Sequence, residues 1–336
     1  MNDVQPRPYS RDYEFTDAML GAFRSSGGAR FFWTLFGWTT ALFSIIYLFA
    51  LPPIVRAYAG LIAGAFEVDA ADPEAAMEAM NASVFAMVPA LILLSIGTLV
   101  VLAVVRAAFY RRYFHNETGG WFPFRFGGDE LRQLLAQLGY WSLFLVFYLL
   151  FAIIVGIVFG VVIGATMAAT SGEPSGGGLA ASFGLLALLY LALIVAIVWY
   201  LVTFAPAGAL TGLRRTTHVL AARKVTKNRF WPLFGALVVA GIIAYVGAYA
   251  LMLTGVLTGL GSLLSGDALA SLSGDDPQAA FDTLAERTRS GSFRLGALFA
   301  LIATAAGQAF YTLFLLGPSA FHTREWSEAD PTAVFQ

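Results

Sequence analysis

Residues 134–166 read LLAQLGYWSLFLVFYLLFAIIVGIVFGVVIGAT, and no Asp, Glu, Lys, Arg or His interrupts them. An uncharged apolar run of roughly 18 residues or more reads as a membrane helix, because ~30 Å of hydrocarbon takes about 20 residues at ~1.5 Å rise. Five further stretches qualify, at 31–55, 84–105, 179–209, 230–264 and 295–319. The runs at 134–166, 179–209 and 230–264 exceed the need, so they tilt or continue past the bilayer as ordinary helix.

Composition points the same way. Of 336 residues, 58% are apolar, 15% aromatic and only 12% charged, against ~45–50% apolar and ~25% charged in a soluble domain. So little charge cannot cover a water-exposed surface, which excludes a soluble enzyme, a disordered protein and a nucleic-acid binder. The net charge of −1 gives no global field to recruit a polyanion. With no cysteine, disulfides, thiolate metal sites and cysteine nucleophiles are excluded.

Direction follows from the basic residues, which stay on the cytoplasmic side of short loops. Sixteen of the 20 fall on one side: Arg7, Arg11, Arg24 and Arg30; Arg106, Arg111, Arg112, Arg125 and Arg132; Arg214, Arg215, Arg223, Lys224, Lys227 and Arg229; and Arg324. Arg56, Arg287, Arg289 and Arg294 fall on the other, with eleven of the 21 acids. Both termini are therefore expected in the cytoplasm, and a bacterial inner membrane fits best. Residues 1–30 are polar and lack the short apolar core of a cleavable signal, so the first span is expected to act as its own insertion signal.

The spans rhyme in pairs. Phe32-Trp33-Thr34-Leu35-Phe36, Tyr140-Trp141-Ser142-Leu143-Phe144 and Phe230-Trp231-Pro232-Leu233-Phe234 open the first, third and fifth. Each places a Trp at headgroup level, where its ring is apolar and its N–H finds a partner. Asp72-Pro73 and Asp276-Pro277 are helix-start signals in the outward loops. They are expected to open short amphipathic helices there; Glu173-Pro174 is the weaker echo in the middle loop. Arg111-Arg112-x-x-His115 follows the second span, Arg214-Arg215-x-x-His218 the fourth, and His322-Thr323-Arg324 the sixth. The unit is a two-span hairpin repeated three times in parallel.

A candidate cytoplasmic helix precedes each hairpin, at 14–24, 129–138 and 216–227. The second carries Leu131, Leu134, Leu135 and Leu138 on one stripe. The third sets Val219, Leu220 and Val225 toward lipid and Arg223, Lys224 and Lys227 toward water. Near anionic lipid each such basic residue contributes about 1 kcal/mol. The expected fold is thus an all-α membrane protein of six transmembrane helices in three repeated hairpins, with cytoplasmic interfacial helices. Residues 1–30 form a cytoplasmic segment with an amphipathic helix, 31–319 the membrane domain (hairpins 31–110, 129–213 and 214–319), and 320–336 a cytoplasmic tail.

Residues 205–240, with Pro206, Arg214-Arg215 and the approach Thr226-Lys227-Asn228-Arg229-Phe230-Trp231, resemble six-span bacterial inner-membrane families. They are similar to the membrane module fused to some glycerophosphodiester phosphodiesterases. In those enzymes the activity belongs to a separate soluble domain, so the resemblance implies no catalytic residue here. With about 18 residues after the last span, no such domain is expected to follow.

No Asp, Glu, Lys, Arg or His lies inside the six spans, which argues against a proton relay. A carrier working through Ser95, Thr98, Thr203, Thr254, Thr258, Gln308 or Thr312 stays open. His115, His218 and His322, the only histidines, all follow inward spans. Threefold packing could gather them, with Glu117, around a metal or an acid–base centre; the plain alternative is interfacial histidines in a repeat. Arg111, Arg112, Arg214 and Arg215, with Arg223, Lys224 and Lys227, are expected at headgroup depth, where the guanidinium fork suits phosphate. Gly156, Gly160 and Gly164, and Gly255 and Gly259, permit close helix approach within the chain or in a homodimer. Residues 119–128, GGWFPFRFGG, read as an aromatic plug that anchors the loop or closes the bundle floor.

The expected function is a non-enzymatic membrane protein that organises anionic lipid or a partner protein at the cytoplasmic face, with no cofactor and no nucleic acid. A transporter of a lipid or apolar solute between hairpins is the alternative; a metalloenzyme built on His115, His218 and His322 is a second.

Overall fold

The computed structural model describes residue 18 and residues 28–66, 73–117, 120–169, 176–264 and 291–329. Among these the chain forms helices joined by turns and short loops, with no strand: α1 (Gly28–Phe66), α2 (Pro73–His115), α3 (Gly128–Ala169), α4 (Gly176–Phe204), α5 (Ala207–Arg214), α6 (Ala222–Thr226), α7 (Phe230–Leu264) and α8 (Gly291–Ala329). Hydrocarbon offers backbone N–H and C=O groups no water, so each segment must satisfy them internally, and a helix does this alone. Six of the helices, α1–α4, α7 and α8, are long and apolar enough to cross a membrane.

α7 and α8 make the most extensive pair, and α1 and α2 the next. α8 also runs along α1, joining these two pairs. Phe32, Leu35 and Phe43 of α1, Val105 and Phe109 of α2, and Ala305, Ala309 and Leu313 of α8 form the main core. It lies toward the end of the bundle that carries Arg111 and Arg214, here termed the basic end.

Lipid tails are as apolar as leucine, so helices associate in a bilayer through close backbone approach and polar contacts. The α7–α8 seam uses the first device. A methyl group at Gly255 would lie 2.6 Å from the Ala303 Cβ, and one at Gly307 would lie 2.7 Å from the Ala248 carbonyl oxygen. Gly247 accommodates the Phe310 ring in the same way. Gly255 and Gly259 thus serve packing within the chain. Gly156, Gly160 and Gly164 on α3 do not: no described atom of another element lies within 4 Å of where their Cβ atoms would stand.

The middle pair is attached differently. No residue in the most apolar window of α3 is buried. α3 and α4 meet near the basic end, where the Tyr200 hydroxyl donates to the Tyr140 carbonyl at 2.6 Å and the Tyr200 ring packs among Phe144, Phe147 and Phe204. Farther along, Ile153, Ile157, Val161, Leu188 and Leu191 point outward.

Several boundaries differ from those expected. Pro73 opens α2 itself, which runs unbroken to His115, rather than a separate short helix. Residues 129–138 are the first turns of α3, because nothing between Leu138 and Tyr140 stops the helix. The fourth span breaks at Ala205-Pro206, where proline has no N–H to offer and crowds the preceding turn. Only Ala222–Thr226 of the stretch 216–227 is helical; Arg215 takes a left-handed conformation (φ 54°), which turns the chain out of α5. Val225 is buried rather than lipid-facing, and Val219 is half-buried against Tyr200 and Phe204. α8 continues past Ser319 to Ala329, and His322 and Thr323 are fully buried, so this part of the expected tail belongs to the bundle. The expected helix at 14–24 (residue 18 apart) and the motifs at Glu173-Pro174 and Asp276-Pro277 lie outside the described residues.

A valine at Gly307 overpacks the α7–α8 seam and should cost about 1–3 kcal/mol, whereas Gly160→Val on α3 should leave monomer stability unchanged. Thermal unfolding of the two variants in detergent, at matched protein concentration, checks this. Equal losses would contradict the asymmetry between the two seams.

Candidate functional site

The densest polar constellation sits at the basic end, where α2, α3 and α5 meet. It begins with the first turn of α3. Asp129 and Glu130 stand near the helix N-terminus, where acidic side chains complement the dipole. The Glu130 carboxylate accepts the Gly127 N–H at 3.0 Å, which closes the helix start. The same carboxylate accepts from Arg111, and both side chains are buried, at 9% and 7% exposure. Arg111 also donates to the Pro123 carbonyl at 3.4 Å and lies 3.9 Å from Asp129. One guanidinium therefore ties the end of α2, the 120–127 loop and the start of α3 together.

α5 is the second half of the knot. Gln133 of α3 donates to the Gly208 carbonyl at 2.9 Å, and His115 of α2 meets the Gly212 carbonyl at 3.0 Å. Gly208 and Gly212 lie four residues apart and take the Tyr110 ring against their backbone; a methyl group at Gly212 would stand 2.5 Å from the Tyr110 Cβ. α2 ends at Asn116, in the left-handed region (φ 54°), as α5 ends at Arg215. The two ends meet, and Arg215 pairs with Glu117. The two Arg-Arg-x-x-His segments are thus joined at their near ends.

α8 closes the far side. Glu325 accepts from Arg229 at 2.5 Å, the Arg214 guanidinium stacks 5.6 Å from the Trp326 ring centre, and His322 lies buried against α6, sharing a hydrogen bond with the Val225 backbone. Arg112 stacks over Phe31 of α1 at 5.8 Å. The Thr226 hydroxyl donates to the Thr203 carbonyl at 3.0 Å, fastening α6 to α4.

All four members of the arginine pairs therefore have partners within the chain. Arg223, Lys224 and Lys227 differ: they are exposed, and no ion pair among the described residues includes them. Beside them Leu220 and Trp231 stand out of the bundle, each at least 70% exposed. The histidines diverge. His115 faces α5, His322 is buried under α6 and His218 is exposed in the turn between α5 and α6. Among the described residues no group of three or more His, Cys, Asp or Glu is placed to hold a metal.

In the plug, Trp121 and Phe126 point out and Phe124 is buried in the main core. The Trp38 indole donates to the Trp121 carbonyl at 3.0 Å and packs on Phe122, so the loop is anchored along α1. Thr254 and Thr258, considered for a transport path, bond back to the Ala250 and Thr254 carbonyls of their own helix. A shallow, open apolar groove on α2 is bordered by Val88, Leu91, Ile92, Ser95 and Ile96.

Sequence reasoning passed over Glu130, Gln133 and the Gly208–Gly212 pair. The signal was present: Glu130, Gln133 and Gln137 recur at helical spacing opposite the leucine stripe. In lipid that stripe faces out and the polar residues face in. Leu131, Leu135 and Leu138 are exposed, while Glu130, Gln133 and Gln137 are buried.

Removing one partner of a buried ion pair leaves the other charge uncompensated, so Arg111→Gln or Glu130→Gln alone should cost about 3–5 kcal/mol. The double variant should cost clearly less than the two singles together. A double-mutant cycle on unfolding in detergent reads this coupling directly.

In comparisons with protein-family models, with curated proteins and with solved structures, nothing matches this chain.

Proposed function

We propose that this is a non-enzymatic inner-membrane protein, with both termini cytoplasmic, whose basic end holds anionic lipid at the membrane surface. The observation that carries this is the exposed set Arg223, Lys224 and Lys227 on and beside α6, flanked by the outward-pointing Leu220 and Trp231. Basic side chains next to an exposed leucine and tryptophan are the composition of a segment lying in the headgroup region. Trp121 and Phe126 stand out at the same end. The internal partners of Arg111, Arg112, Arg214 and Arg215 give these residues a prior task, that of holding the α6 platform rigid.

The sixteen-to-four bias of basic residues supports the orientation. A second reading, a carrier for a lipid or apolar solute, draws on the open α2 groove, whose lining of Val88, Leu91, Ile92 and Ile96 is apolar enough for an acyl chain.

Changing Arg223, Lys224 and Lys227 together to Gln should lower the anionic lipid that co-purifies with the protein and leave its unfolding temperature unchanged. Lipid mass spectrometry on matched preparations checks this. Unaltered anionic lipid in the folded triple variant would refute the proposal. Because the chain lacks cysteine, a single Cys at position 223 also tests orientation: in intact cells a membrane-impermeant thiol reagent should not reach it.

A further inference from the structure

Arg106 lies five residues before Arg111 on α2, which places it roughly 7.5 Å deeper into the apolar layer at ~1.5 Å per residue. Arg111 has Glu130. Arg106 has no counterpart: among the described residues it makes no ion pair, and its Nε is buried without a hydrogen-bond partner. A guanidinium at that depth is costly without an anion beside it.

The facing surface of α3 is polar. α2 and α3 run antiparallel, and the register set by Arg111 and Glu130 puts Arg106 at a depth between those of Gln133 and Gln137. Gln133 and Gln137 are each only 2% exposed. The bond from Gln133 Nε2 to the Gly208 carbonyl fixes that amide's orientation and leaves its Oε1 buried with no donor. Gln137 Oε1 is likewise buried with no donor. Tyr110, four residues after Arg106 and so on the same face of α2, packs its ring on the Gly208 and Gly212 backbone beside Gln133.

The seam therefore combines a cation that lacks an acceptor with amide oxygens that lack donors. Water would serve the amides and leave the charge uncompensated. A carboxylate or sulfate would serve the arginine and offer the amides nothing. A phosphate that carries a hydroxyl serves both: its oxygens match the guanidinium fork and its O–H donates to an amide oxygen. We propose that Arg106, Gln133 and Gln137 form a binding site, between α2 and α3, for a hydroxyl-bearing phosphate. Hydrogen phosphate in solution and the phosphate of a hydroxylated lipid headgroup share this chemistry. The site uses none of the residues that carry the lipid-surface proposal, so either can fail alone.

The test is thermal unfolding of the full chain in delipidated detergent, with two arms. One titrates inorganic phosphate, with sulfate as comparator; the other adds phosphatidylglycerol to the micelles, with phosphatidylcholine as comparator. At about one hundred times Kd the unfolding temperature should rise by ~5 °C. A rise with phosphate assigns the solution source; a rise with phosphatidylglycerol alone assigns the headgroup where it persists when Arg223, Lys224 and Lys227 are Gln and is lost when Arg106 is Gln in that same background. Sulfate and phosphatidylcholine should do markedly less. Arg106→Gln should abolish the rise, Arg106→Lys should retain part of it, and Gln137→Leu should weaken binding about tenfold. Should Arg106→Gln not fold, the Lys and Leu variants decide alone. Changing Arg223, Lys224 and Lys227 to Gln should leave the rise intact. No rise in either arm, or a full rise in Arg106→Gln or in both other site variants, overturns the proposal.

Discussion

In a bilayer nothing expels apolar side chains toward one another, so six greasy helices do not become a bundle by being greasy. Association has to come from backbones that approach closely and from polar groups with nowhere else to turn. This chain uses each device in a different place. The α7–α8 seam relies on Gly247, Gly255 and Gly307, where no side chain larger than hydrogen fits without displacement. The α2–α3–α5 junction relies on Arg111, Glu130, Gln133 and His115, whose partners all lie on a neighbouring helix or on the loop between them.

The second device shapes the basic end into a platform. Arg111 joins α2 to α3, Arg215 joins α5 to the end of α2, and Arg229 joins α8 to the segment before α7. Such pairs contribute little net stability: for the buried Arg111–Glu130 pair desolvation offsets most of the attraction, and for the exposed Arg215–Glu117 pair water screens it. Their value is in register: each guanidinium fork fits one carboxylate at one helix offset. A surface built on such a frame presents Arg223, Lys224 and Lys227 in a fixed arrangement.

The six spans were legible in the sequence because length and hydropathy are local, and a membrane leaves few alternatives to a helix. The close packing of Gly255 against α8 was foreshadowed by its spacing, but Gly156, Gly160 and Gly164 have the same spacing and no neighbour in the chain. A periodicity shows that a helix can be approached, not that it is. The arginine pairs illustrate the same limit. Their place at the ends of apolar runs was readable from hydropathy, yet Glu130, Glu117 and Trp326 are 19, 98 and 112 residues from the arginines they meet. Only the folded bundle brings them together. The helix breaks at Pro206 and Arg215 are a matter of local backbone chemistry: the expected span at 179–209 ran through Pro206 although proline is a known breaker, and a left-handed arginine has no signature in composition.

The middle pair of helices has a mechanical consequence. α3 and α4 are held together at the basic end, while their far halves turn large aliphatic side chains outward. The cross-section at one end is therefore set by interlocked rings, and at the other by two helices whose large aliphatic side chains meet whatever surrounds them. In a bilayer, acyl chain length and unsaturation alter the lateral pressure at that end, and with it the separation of the two helices. The thickness and fluidity of the surrounding bilayer thereby become terms in the conformational energy of the protein.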